Sequence, residues 1–275
     1  MRSFYERLTS KVKRLVKEYP LEKQLSKIAK LPRYTQGEFN WSGKTFRFPD
    51  ASSFAWTYEE LFKRHIYRFE SDAVAPVIID CGANIGLSAL YFKQLYPKAR
   101  IIAFEPDEEI FGYLKANVET FGLADVELIK KGLWKEETVL EFFSEGSDAN
   151  RIMNASEKQL VQENNLFTKT VVPTVKLSNF INETVDFLKI DIEGAETDVL
   201  LEVKEKLPLV KNIFIEYHSF VDQPQTLDQI LSTLSASGFR YYMDVPLALS
   251  NRPFLNRGSF LSIDLLLNIY AYRLL

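Results

Sequence analysis

One cysteine, Cys81, and two histidines, His65 and His218, are all that 275 residues hold of the side chains most often used for zinc or for thiol chemistry. A lone cysteine excludes an intrachain disulfide framework and a multi-cysteine zinc site; it suits a reducing compartment, so a cytoplasmic protein is expected. Placed at an apolar strand end, Cys81 reads as a buried space-filler rather than a nucleophile. No run approaches the roughly 18 apolar residues of a membrane span, and no secretory signal opens the chain. The G-x-G-x-x-G spacing of dinucleotide folds is also missing. A net charge of −3 conceals an asymmetry: residues 1–30 hold nine Lys or Arg against three Glu, +6, which leaves −9 on the remainder. Nucleic acid is not an expected partner of so acidic a body.

What is present is organised around Pro76–Pro106. Val77, Ile78 and Ile79, ending in Asp80, form a short apolar run suited to a strand buried on both faces of a parallel sheet. Gly82 and Gly86 bracket Ala83, Asn84 and Ile85 before a helical pattern begins at Leu87. Such a strand-to-helix turn offers unpaired backbone N–H groups and a positive helix end to a ligand. A second strand, Arg100–Phe104, ends in Glu105, 19 residues beyond Gly86, where a carboxylate can grip the two hydroxyls of a ribose. Asp-Cys-Gly-Ala-Asn-Ile-Gly with Glu105 at this distance resembles the first two motifs of class I S-adenosylmethionine (AdoMet) methyltransferases.

Ahead of that stretch, residues 3–19 place apolar side chains at helical spacing with Lys and Arg opposite, and Leu21, Leu25, Ile28 and Ala29 form a second, shorter stripe. This basic amphipathic pair either packs on its own domain or makes a peripheral membrane or protein contact through residues 1–30. Phe39–Trp41 and Lys44–Phe48, joined by Ser42-Gly43, predict a hairpin, and Trp56–Phe69 a cap helix with His65 on or beside its aromatic face. Downstream, Ile110–Phe121 predicts a crossover helix, Val126–Ile129 a third strand, and Leu133-Trp134 with Val139–Phe143 an accessory hairpin. Residues 144–170 are polar, with a short helix at 155–163, and read as a lid or a surface insertion. Val185–Ile190 and Asn212–Ile215 supply a fourth and fifth strand, and Phe239–Val245 with Leu261–Tyr272 a closing antiparallel pair. The expectation is an α/β, Rossmann-like seven-stranded mixed sheet with helices on both faces in residues 75–275, preceded by a helical and hairpin extension in residues 1–74.

Four predicted strands end in acids, Asp80, Glu105, Asp191 and Glu216, with His218 two positions beyond the last. Ligands of such sheets bind outside the carboxyl ends of the strands. VIIDCGANIGLSALYF, IIAFEP, LKANVETFGL, KKGLWKEETVLEFF, VPTVKLSNFI, VDFLKIDIEGAE and IEYH, in this order over about residues 75–220, resemble the FkbM family of AdoMet-dependent methyltransferases, KIDIEGAE being the most diagnostic element.

The resemblance implies AdoMet as cofactor and O-methylation of a hydroxyl on a sugar, glycan or secondary metabolite. It implies that Gly82, Ala83, Asn84 and Gly86 line the methionine and ribose portion, that Asp80 orders the amino acid end, that Glu105 holds the ribose diol, and that Gly132 lies beside the adenine. Asp191 and His218 are the candidate catalytic residues, because an unactivated alcohol needs a base. Asp191, Glu216 and His218 alternatively form a candidate site for a divalent cation, Mg or Mn, since oxygen ligands with one imidazole suit those ions. Lys189 reads as a partner for a carboxylate beneath the site, and Glu193 and Glu196 as acids of a first helical turn. Two other functions remain open: a nicotinamide-dependent oxidoreductase, and a non-catalytic AdoMet-binding scaffold recruited by its N-terminal helices.

Overall fold

Every residue of β3 (Val77–Cys81) and of β10 (Val185–Ile190) is buried, as two-sided apolar strands at the centre of a parallel sheet must be. A computed structural model describes residues 21–144, 150–151, 168–221, 223–250, 252, 254–255 and 263–273. With β4 (Arg100–Phe104), β5 (Val126–Ile129), β11 (Val210–Phe220), β12 (Arg240–Asp244) and β13 (Ile263–Tyr272), the two central strands form a seven-stranded sheet of order β12-β13-β11-β10-β3-β4-β5. Neighbours from β11 to β5 are parallel, while β13 runs antiparallel to both β11 and β12. Alternate side chains sort to the two faces. Ile78, Ile101, Phe187 and Phe214 join one apolar cluster, and Ile79, Leu188, Ile190 and Ile213 the other. Helices Leu87–Leu95 and Glu108–Phe121 make the first two crossovers, and Glu196–Glu202 links β10 to β11. The expected mixed sheet and closing antiparallel pair are therefore found.

The N-terminal elements share the first cluster. β1 (Gly37–Trp41) and β2 (Lys44–Phe48) pair through a two-residue turn in which Ser42 and Gly43 both have positive φ (53° and 86°), the geometry that matches strand twist. Phe39, Phe46, Phe48 and Phe54 are essentially inaccessible, and Phe48 stacks on Phe54 at 4.4 Å. Asp50 caps the helix Ala51–Tyr58 by accepting from Ser52 N, so the cap helix starts five residues before the expected Trp56. It then passes into one π turn, Glu59–Arg64, and stops where His65 turns left-handed (φ 57°), short of the expected Phe69. His65 is an exposed histidine beside Tyr91. Residues 21–28 are helical, and Leu25 and Ile28 are buried in the same cluster, so this second stripe packs on its own chain. The expected helices at residues 3–19 and 155–163 lie outside the described residues, as does most of the 144–170 stretch.

Two expectations are corrected. The accessory hairpin is not made with Leu133-Trp134: β7 (Val139–Ser144) pairs antiparallel with β9 (Thr168–Val175), and β6 (Gly132–Leu133) lies parallel to β9. Buried Thr174 explains this, because its backbone N donates to Thr138 O and its hydroxyl to Glu136 O, pinning the intervening turn to β9. Glu216 and His218 do not follow a strand end but lie inside β11. Pairing with β10 stops at Ile190 opposite Ile215, whereas pairing with β13 continues past His218 opposite Leu266, so β11 projects beyond the rim. Asp80 likewise sits within β3, one residue before its end.

Candidate active site

The glycine turn is held by backbone bonds. Gly82 N and Ala83 N both donate to Phe104 O, at 3.1 and 2.8 Å, and Gly86 N donates to Ala83 O. Gly82 has φ +86°, and a Cβ there would lie 1.9 Å from Asp191 O, so no side chain fits. Gly86, at φ +88°, is the N-cap of the helix Leu87–Leu95, and no side chain caps that end.

Glu105 faces this turn. Its carboxylate accepts from Asn84 N and Asp107 N, each at 3.0 Å, and is nearly inaccessible. Burial pushes its carboxyl up to about 7, with the N–H groups of Asp107 and Asn84 opposing the rise. Asp80 is completely buried, so it acts on the turn indirectly. One oxygen accepts from Ser88 Oγ at 2.5 Å, and the other accepts no hydrogen bond but lies 3.4 Å from Lys189 Nζ. Lys189 in turn donates to Gly82 O at 2.6 Å and pairs with Asp191 at 3.1 Å. Burial opposes its charge, yet Asp191 and Asp80 outweigh burial and hold the ammonium above its ordinary range.

Two adjoining cavities open on the turn. One is bounded by Glu105, Phe104, Ile110, Gly132 and Leu133, the other by Ser53, Thr57 and Tyr67 of the N-terminal elements with Ser88 and Lys189. Gly82, Asn84 and Asp191 border both. A carboxylate with spare lone pairs, an apolar floor and a turn that has no Cβ at Gly82 fit a nucleoside carrying a short charged tail, as AdoMet does.

At the opposite lip, Asp191, Glu193 and His218 each bring one ligand atom within 4.8 Å of the others. His218 Nδ1 lies 3.1 Å from Glu196 Oε1, and Nε2 lies 3.5 Å from Glu193 and 3.7 Å from Glu216. Burial favours a neutral ring, but Glu193, Glu196 and Glu216 prevail and keep the imidazole protonated well above its usual range. Burial and Asp191 push Glu216 well above the carboxylate range, against the pull of His218.

Of the sequence-predicted residues, Gly82, Ala83 and Asn84 of the glycine turn border the adjoining cavities with Glu105 and Gly132, whereas Gly86 and Asp80 lie behind them, and Asp191, which borders both cavities, brings a ligand atom within 4.8 Å of His218. Glu193, not Glu216, completes the tightest group of three. Four contributors were missed or under-read. Lys189 joins both halves. Asn117, 2% exposed, accepts from Arg47 N and donates to Ile85 O, tying the hairpin to the glycine turn. Glu60 arrives from the π turn, its carboxyl pushed up to about 7 by burial, with Arg64 opposing and Asp191 adding to the rise. Glu196 is the fourth. Only Lys189 carried a local signal, a lysine near the end of a buried strand whose other charged residue is Asp186.

Strand order, one reversed strand near the edge, a glycine turn after the first strand and an acid after the second are the architecture of the Rossmann-like, class I methyltransferase fold. The crystal structure of methyltransferase FkbM from Methylobacillus flagellatus aligns with a TM-score of 0.51 at 16% identity, covering 78% of this chain; the chain spans about half, 48%, of that molecule. The methyltransferase FkbM domain family matches residues 80–241, and the chain belongs to it. Among relatives, Methyltransferase 1 of Beauveria bassiana is 30% identical over 210 residues, covering 68% of this chain and 83% of the relative. The 31-O-demethyl-FK506 methyltransferase FkbM of Streptomyces tacrolimicus is 24% identical over 227 residues, with 72% and 86% covered. The 2-O-methyltransferase NoeI of Sinorhizobium fredii is 27% identical over 155 residues, with 52% and 63% covered.

Proposed function

We propose that the protein methylates a hydroxyl of a neutral, sugar-like small molecule or glycan, with Asp191 and His218 handling the proton. When bound, AdoMet supplies an electrophilic methyl on sulfur. Glu105 would accept from the ribose hydroxyls, the Gly82–Gly86 turn would hold the ribose and methionine portion, and Gly132 and Leu133 would flank the adenine. Asp191, which borders both cavities, orients the acceptor hydroxyl, and His218, in the neutral form whose fraction grows toward alkaline pH, takes up its proton as the oxygen attacks. The acids Asp191 and Glu193, joined by Glu60 above about pH 7, disfavour an anionic acceptor. Relatives named as a 2-O-methyltransferase and a 31-O-demethyl-FK506 methyltransferase support transfer to oxygen. The observation that carries the reading is the approach of His218 to Asp191 and Glu193, both of which border the Glu105 cavity. Buried Cys81 supports a reducing, cytoplasmic setting.

The test is release of S-adenosylhomocysteine on a panel of neutral saccharides and polyols. Asp191→Asn and His218→Ala are expected to lose about 10²–10⁴-fold in kcat while AdoMet binding persists. Undiminished turnover in both variants overturns the assignment. The three-donor group also supports a second reading, a Mg or Mn ion held by Asp191, Glu193 and His218 that lowers the acceptor hydroxyl's pKa. In that case a chelator abolishes turnover and added Mn²⁺ or Mg²⁺ restores it; turnover indifferent to chelation removes this reading.

A further inference from the structure

Glu196 begins a short helix, yet its carboxylate makes its hydrogen bonds outside that helix. Its carboxylate, 1% exposed, turns backward to accept from Ile192 N at 3.2 Å and from Gly194 N at 3.0 and 3.1 Å. It then reaches across to β11, where Oε1 lies 3.1 Å from His218 Nδ1. The loop it closes is one that few sequences tolerate: Glu193 and Gly194 have φ of 54° and 99°, and a Cβ on Gly194 would lie 2.8 Å from the Phe220 ring. That Phe220 ring lies nearly parallel to the imidazole of His218, 17° between planes at 6.4 Å. The imidazole is thus held along one edge and supported on one face. Its remaining nitrogen, Nε2, is the one turned toward Glu193 and Glu216.

We infer that Glu196 is a positioning residue: it accepts the Nδ1 proton of His218, so that Nε2 is the nitrogen presented at the lip of the crevice, and through the same carboxylate it locks the loop carrying Asp191 and Glu193 to β11. A buried carboxylate bonded to Nδ1–H selects the tautomer with Nε2 unprotonated, the form able to accept a proton or a cation. The inference rests on the assignment of His218 to the reacting centre. It adds that the last residue of the KIDIEGAE segment sets the histidine's orientation rather than merely opening a helix.

The experiment compares full-length wild type, Glu196→Gln, His218→Ala and the double variant. A glutamine still offers a carbonyl oxygen to Gly194 N but lacks the charge that holds the Nδ1 proton. The expected result is a loss of about 10–100-fold in kcat for Glu196→Gln, with the AdoMet KM and the calorimetric Kd within about twofold. The double variant is expected to be no more than about twofold slower than His218→Ala, because residues acting as a unit are not additive. A second readout needs no turnover. The chain has only two histidines, so ring ¹⁵N spectra are assigned with a His65→Gln variant. At the alkaline pH where the ring is neutral, wild type should show the Nδ1–H form, and Glu196→Gln should shift toward Nε2–H. Should Glu196→Gln not fold, Glu196→Asp, which keeps the charge but withdraws it by one methylene, is read in the same assays and is expected to fall between. Unchanged kcat with an unchanged tautomer overturns the inference. So does an equal loss for Glu196→Gln in the His218→Ala background, which marks a purely structural role. Full turnover by His218→Ala instead defeats the functional assignment of the histidine, and the spectra still decide whether Glu196 sets its ring.

Discussion

The two sides of the crevice are built by different means. On the side of β3 and β4, position is set by backbone: Gly82 and Ala83 bond to Phe104 O, and Glu105 receives two main-chain N–H groups. On the side of β10 and β11, position is set by charge: Glu193, Glu196 and Glu216 lie 3.1 to 3.7 Å from buried His218, and Asp191 brings a ligand atom within 4.8 Å of Glu193 and His218. The first arrangement is rigid and suits a fixed donor. The second is poised by mutual repulsion and attraction, and there each group's protonation depends on its neighbours. Lys189 is the joint, touching Gly82 O on one side and Asp191 on the other.

The largest effect is expected where the backbone side leaves no room. Gly82→Ala puts a methyl 1.9 Å from Asp191 O at a positive φ, and should cost upwards of about 3 kcal/mol and abolish AdoMet binding. Thermal melts and calorimetry measure both, and retained binding would break the backbone account. Next comes the joint. Lys189→Met leaves Asp80 and Asp191 uncompensated, and loss of one partner of a buried pair costs about 3–5 kcal/mol. Urea titration measures it; a change below about 1 kcal/mol would mean the two sides are not coupled through this lysine.

Asn117→Ala is expected to cost about 1–3 kcal/mol, because it strands Arg47 N and Ile85 O in the interior. If the hairpin braces the glycine turn, AdoMet affinity should fall along with stability; a loss of stability alone would confine Asn117 to packing.

The smallest expected effect is in pH dependence. The Glu105 carboxyl is raised by burial from 4.5 to about 7 in the folded protein, which therefore holds this proton where the unfolded chain has released it. Its contribution to apo stability is greatest below 4.5 and declines as pH rises to about 7. Ribose hydroxyls donate best to the ionised form, so AdoMet binding should tighten by up to about tenfold between about pH 6 and about pH 8. Glu105→Gln should flatten that profile, and an equally steep profile in the variant would assign the proton elsewhere.

Much of the backbone side could be read from local pattern. The apolar run Val77–Ile79, glycines four apart and an acid 19 residues on are constraints between near neighbours, and Gly82, Ala83, Asn84 and Glu105 border the crevice as expected. Cap-helix limits were misjudged because Asp50 and His65 act through single capping and left-handed conformations that apolar spacing does not register. The charged side was only partly legible. Asp191 stood out as an acid after a buried strand, but Glu196 looked like any acid of a first helical turn until β11 brought His218 to it.

Chain order and hydrophobic period by themselves determined the class of fold, the glycine turn and the site of Glu105, since strand burial and turn geometry depend on residues close in sequence. Only the tertiary structure decided that β13 carries β11 past the rim, that Lys189 bridges the two lips, and that Glu196 faces His218. Those relations join residues 22 to 109 positions apart, and electrostatics inside a protein follows distance in space, which no local spacing encodes.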